Sequence, residues 1–115
     1  MVHGELIDKD GHKYIGGFKN GNIHGKGILK HRKVEFEGEY EDGELNGLGF
    51  IKFIDHDSLE SFRGHFKHGK KNGFGIEKSL DGTTFYSEYK DNLQDGFTLK
   101  YCPKELLPED SKNGF

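Results

Sequence analysis

The chain is predicted to be all-β: an elongated, single-layer antiparallel meander of about nine strands, joined in chain order as consecutive hairpins. Three observations predict it. The 115 residues include 18 Gly, 10 Phe and 5 Tyr but neither Ala nor Trp, a mixture that disfavours helices and suits strands broken by glycine turns. Large apolar residues alternate with a period of two over several short stretches, as in strands with two distinct faces. One spacing of aromatics and glycines recurs along the chain.

The elements follow in order. Gly4 to Asp8 reads as a return strand without its outgoing partner, so residues 2–13 form a partial repeat. In the first full repeat, residues 14–35, Tyr14, Gly16 and Phe18 alternate with Ile15, Gly17 and Lys19. The segment Asn20 to Gly25 then reverses the chain into a return strand near Lys26 to His31. In the second, residues 36–61, Phe36, Gly38 and Tyr40 oppose Glu37, Glu39 and Glu41, and the return runs from Leu48 to Ile54. In the third, residues 62–84, Phe62, Gly64 and Phe66 oppose Arg63, His65 and Lys67, with a return from Phe74 to Ser79. The fourth, residues 85–102, is worn: Phe85, Ser87, Tyr89, Asn92, Gly96 and Thr98 hold the corresponding places before a return from Phe97 to Cys102. The leading aromatics lie 22, 26 and 23 residues apart, which puts the longest connection at Asp55 to Ser61. Asn20-Gly21, Asn46-Gly47 and Asn72-Gly73 are turn-forming pairs. Glycine between two rings leaves a gap that a neighbouring ring can enter. Residues 103–115 form a short tail, with one helical turn between Pro103 and Pro108 expected to cap the last hairpin.

The pattern aromatic-x-Gly-x-aromatic-x-x-Gly-x-x-x-Gly-x-Gly resembles the MORN (membrane occupation and recognition nexus) repeat, over about residues 14–101. The likeness holds in three copies and is partial in the fourth, which departs at Ser87, Asn92 and Thr98. It implies an array in which each copy is stabilised by its neighbours. Proteins with such repeats include membrane-contact, ciliary and cytoskeletal components, lipid kinases and a histone methyltransferase. Across them the repeat resembles a scaffold for protein partners or dimerisation, and nothing catalytic carries over.

Charge narrows the classes further. The net charge of −3 conceals alternating blocks: +4 over residues 1–34, −8 over 35–60, +4 over 61–78 and −3 over 79–115. A nucleic-acid binder would carry a sustained basic face and a high isoelectric point, so nucleic acid is not expected as a partner. No apolar run approaches the length of a membrane-spanning helix. The first residues do not resemble a secretion signal, and the single Cys102 forms no internal disulfide, so the expected location is the cytoplasm.

Reactive constellations are sparse. His65 and His68, two of seven histidines, are separated by a strand end with no Cys nearby, so no metal is expected. Asp55-His56-Asp57-Ser58 is too local for a triad, whose members converge from separate parts of a fold. Gly25-Lys26-Gly27, Gly47-Leu48-Gly49 and Gly73-Phe74-Gly75 lack the third glycine and following helix of a phosphate loop. No cofactor and no enzymatic activity are expected. The leading expectation is a protein–protein interaction module of a cytoskeletal or ciliary assembly, contacting its partner through Tyr14, Phe18, Phe36, Tyr40, Phe62, Phe66, Phe85 and Tyr89. The unpaired end strands also make a homodimer or end-to-end self-association an expected form. One alternative is peripheral attachment to anionic membrane through Arg63, Lys67, Lys70 and Lys71, with Glu37, Glu39 and Glu41 able to neutralise adjacent basic residues. Another is a regulatory portion of a larger enzyme.

Overall fold

A computed structural model describes residues 2–103, which form one nine-stranded antiparallel sheet in which every strand pairs with its neighbours in sequence. The strands are β1 (Val2–Ile7), β2 (Lys13–Lys19), β3 (Asn22–Lys30), β4 (Val34–Glu41), β5 (Glu44–Phe53), β6 (Leu59–Lys67), β7 (Lys70–Ser79), β8 (Thr84–Lys90) and β9 (Leu93–Tyr101). The sheet measures 60 × 28 × 18 Å, elongated across the strands. The expected capping turn lies beyond Pro103, outside the described residues.

Each hairpin turns on two residues of positive φ: Asn20-Gly21 (53° and 79°), Asp42-Gly43 (50° and 89°), His68-Gly69 (51° and 78°) and Asp91-Asn92 (50° and 73°). This is the mirror-image turn whose twist matches the flanking strands. The reversal is therefore tighter than the sequence suggested, and the return strands begin immediately after it. Asn46-Gly47 and Asn72-Gly73 lie inside β5 and β7 rather than at turns. There the register shifts opposite Gly38/Tyr40 and Gly64/Phe66, and Gly47 and Gly73 take φ of 112° and 102° within the two extra residues that each return strand carries.

Main-chain bonds lace the last three turns to the return strand of the repeat before: Gly43 N–H to Ile23 O (2.9 Å), Gly69 N–H to Leu45 O (2.9 Å) and Asn92 N–H to Lys71 O (3.0 Å). At the opposite ends of the strands, Ile54 N–H donates to Lys33 O and Leu80 N–H to Ser58 O.

A row of glycines crosses the sheet, strand by strand, through Gly4, Gly16, Gly27, Gly38, Gly49, Gly64 and Gly75, ending at Ser87 and Thr98. Space explains it. A Cβ on Gly38 would lie 2.6 Å from Leu48 O, and one on Gly64 would lie 2.8 Å from Phe74 O. On Gly27 or Gly75 it would clash with the ring of Tyr14 or Phe62. In the fourth repeat the glycine pair is replaced by Ser87 and Thr98, whose hydroxyls bond at 3.0 Å.

The core is the front face of this single layer. Tyr14, Tyr40, Leu45, Ile51, Phe62, Phe66 and Tyr89 are buried there, with Phe18, Ile23, Leu29, Val34, Phe36 and Phe53 packed against them. The rings meet edge to face in two chains, Phe18–Tyr14–Tyr40 and Phe66–Phe62–Tyr89, with centroids 5.3–5.8 Å apart.

Candidate interaction surface

Strand alternation divides the candidate residues between two faces with different tasks. On the front, Tyr14, Tyr40, Phe62, Phe66 and Tyr89 are buried against one another, and Phe18, Phe36 and Phe85 remain half-buried. The Tyr14 hydroxyl donates to Gly17 O at 3.1 Å and the Tyr40 hydroxyl to Phe36 O at 2.8 Å, so the polar tips are satisfied locally. Burial, reinforced for Tyr40 by the neighbouring Tyr14, raises both phenols above the usual tyrosine range.

The position facing the second ring of each outgoing strand is Ile23, Leu45, Lys71 and Gln94 in turn. Lys71 thus occupies an apolar slot, its ammonium 4.2 Å from the Phe62 ring centroid and 5.2 Å from that of Tyr89. Burial there holds its pKa below the usual lysine value, against the opposing pull of Glu77.

The other basic residues lie elsewhere. Arg63 is on the back face, 5.3 Å above the Phe50 ring. Lys67 and Lys70 flank the β6–β7 turn and line a cleft with His68, Glu88, Asp91 and Asp95, so carboxylates of the next hairpin share their surroundings. Ion pairs among the described residues are Asp8–His12, Glu5–Lys13 and Glu60–Lys78. Glu39 is register partner of Lys26, whereas Glu37 stands between Ile28 and Phe50 and Glu41 faces Glu44. No group of three or more His, Cys, Asp or Glu side chains among the described residues could hold a metal. No helix of the structure is long and apolar enough to cross a membrane.

The back face is where the sheet meets solvent with apolar side chains. One register row reads Ile15, Ile28, Glu37, Phe50, Arg63, Ile76, Tyr86 and Leu99; the next includes Lys26, Glu39, Leu48, His65, Phe74 and Glu88. Between the two rows the backbones of the glycine row floor a chain of shallow depressions that share Glu37, Gly38, Leu48 and Arg63. Phe74 is 71 % exposed and Phe97 is 95 % exposed, with Leu48, Ile76, Tyr86 and Leu99 also open to solvent. Exposed apolar clusters of this kind are characteristic of interaction surfaces.

Sequence reasoning passed over these residues because it followed the aromatic row and read the opposite face as charged. A signal was present: the central residue of each Gly-x-Gly must face away from the ring side, and it is Leu48 in the second repeat and Phe74 in the third. The trough thus combines an apolar stripe, a backbone floor and interleaved charges, which suits an extended or flat protein surface rather than a small enclosed ligand.

A family model described as MORN repeat matches three successive stretches of the chain, residues 14–32, 36–58 and 62–84. No curated protein matches the chain significantly.

Proposed function

As the chain belongs to the MORN repeat family, whose all-β arrays are binding modules, we propose that it is a non-catalytic scaffold that docks a protein partner on the back face of its sheet. The observation that carries this is the contrast between the faces: the front rings are consumed by packing, while Leu48, Phe74, Tyr86, Phe97 and Leu99 stand exposed around a glycine-floored trough. Of the eight aromatic candidates, Phe18, Phe36 and Phe85 keep enough surface to add contacts from the front. The other five act indirectly, by holding the trough in shape. The reading assigns the protein to a cytoplasmic cytoskeletal or ciliary assembly, in keeping with its single free Cys102.

The test is capture of partners from the cell that makes the protein, using the tagged chain and the variants Ile28→Glu and Leu48→Glu. One stoichiometric partner held by the wild type and lost by both folded variants is the expected result. Equal capture by all three would remove the trough from consideration. Anionic vesicles provide the control for the membrane reading: with Lys71 held over two rings and Lys67 and Lys70 beside carboxylates, retention at physiological salt is expected to be weak and unchanged by Lys70→Glu. Salt-sensitive retention abolished by Lys70→Glu would replace the protein-docking reading with a lipid one.

A further inference from the structure

The trough crosses the strands rather than following them: its successive depressions overlap from β2 to β8 through Glu37, Gly38, Leu48 and Arg63. Along one register row, apolar and polar side chains alternate strand by strand. Ile28, Phe50, Ile76 and Leu99 stand on the return strands β3, β5, β7 and β9, with Glu37, Arg63 and Tyr86 on the strands between. The neighbouring row reinforces the last three apolar bands with Leu48, Phe74 and Phe97, all exposed. We propose that the partner segment seated in this trough is a proline-rich stretch in the polyproline II conformation, lying across the strands. The proposal rests on the reading of the back face as the docking surface and names the chemistry of what docks there.

Spacing selects the conformation. Neighbouring strands lie about 4.8 Å apart, so bands on alternate strands recur every 9.6 Å or about that. A polyproline II helix, with three residues per turn, returns a side chain to the same side about every 9.3 Å. An α-helix does so about every 10.5 Å over seven residues, and an extended strand about every 6.7 Å. Between the bands on β3 and β9, about 29 Å, the polyproline helix drifts by about 1 Å and the α-helix by about 3 Å, while the strand is out of phase at the second band. Charge then orders the segment. Glu37 calls for a basic residue between the contacts on β3 and β5, and Arg63 for an acidic one between those on β5 and β7. Neither belongs to the ion pairs among the described residues. Arg63 lies over the Phe50 ring at 5.3 Å, which engages the face of its guanidinium and leaves the edge donors for a carboxylate. Polyproline carbonyls carry no internal hydrogen bonds, so they suit a hydroxyl donor such as the exposed Tyr86. Aromatic-lined grooves recognise this conformation because it is ordered before binding.

The experiment titrates the full chain into fluorescent synthetic peptides and reads anisotropy. The first peptide has proline or leucine at every third position over about ten residues, with one arginine in the first interval and one glutamate in the second, and is made in both chain directions. Another keeps that composition with its apolar residues at every second position, and a third is an amphipathic α-helix of the same charges. In one of its directions the first is expected to bind about tenfold tighter than either control. Arg63→Glu is expected to abolish that preference and to recover it with a peptide whose glutamate is replaced by lysine, an exchange that misfolding does not produce. Equal or tighter binding of a control overturns the proposal, as does a first peptide that does not bind or is indifferent to Arg63→Glu. Capture of a cellular partner that Leu48→Glu loses, with the first peptide unbound, would leave the docking function standing while this proposal failed. Loss of both results would remove the two together.

Discussion

A glycine in this array provides space in one place and conformational freedom in another, and substitution separates the two. Gly75 faces the Phe62 ring, where an added methyl has no room. Gly75→Ala is expected to lower unfolding free energy by about 1–3 kcal/mol, the usual cost of overpacking, as read by urea denaturation. Gly43 has open space around it but a φ of +89°. Gly43→Ala should cost about 1–2 kcal/mol through backbone strain alone, and Gly43→Asn less, because the fourth repeat already uses Asn92 at this turn position. The buried phenols make a further prediction. Tyr14 and Tyr40 stay protonated in the fold above 10.0, where the unfolded chain releases its tyrosine protons. The unfolded state then binds fewer protons, so stability is fully present below pH 10 and declines as pH rises above it. Tyr40→Phe should flatten part of that alkaline decline in a pH series of denaturation curves, while losing the bond to Phe36 O at every pH.

At the scale of the hairpin, the turn is a joint between repeats as much as a reversal within one. Asn92 serves both sides: its N–H donates to Lys71 O and its side-chain oxygen accepts from Lys71 N–H at 2.8 Å. Asn92→Gly keeps the left-handed conformation and removes only the second bond, so a loss of about 0.5–1.5 kcal/mol is expected. Asn92→Ala adds strain to that loss and should be the worse of the two by thermal unfolding. An order reversed from this would show that the side-chain bond, not the φ, sets the joint. The four hairpins and the order of the strands were legible in the aromatic and glycine spacing, because each element repeats a local steric requirement. The position of the reversal was not. Asn46-Gly47 and Asp42-Gly43 both look like turns in sequence, and only the pairing of Tyr40 with Leu45 selects the second.

Across the whole molecule, stability should be distributed as in a linear array, with each hairpin held by its neighbours. The packed front runs through β2 to β8, whereas every residue of β1 and β9 is exposed. Hydrogen exchange is expected to be slowest in β4 to β7 and fastest in β1 and β9. Uniform protection across all nine strands would mean that the sheet opens as one unit. The exposed half of the back face belongs to this scale too, since it results from four strands, β5, β7, β8 and β9, each contributing one or two apolar residues.

The sequence by itself determined the all-β class, the hairpin repeat, the number of strands and the aromatic character of the core, because these follow from the conformations that glycine permits and from period-two alternation within single strands. Only the tertiary structure decided which rings are spent on packing and which side chains remain for a partner. Tyr14 and Phe74 are both large and aromatic, and each has a glycine within two residues on its strand; what separates them is that Tyr14 has Gly27 beneath its ring and Tyr40 at its edge, whereas Phe74 points to the side on which no second layer stands. That difference arises from the register of neighbouring strands, which brings together residues far apart in the chain.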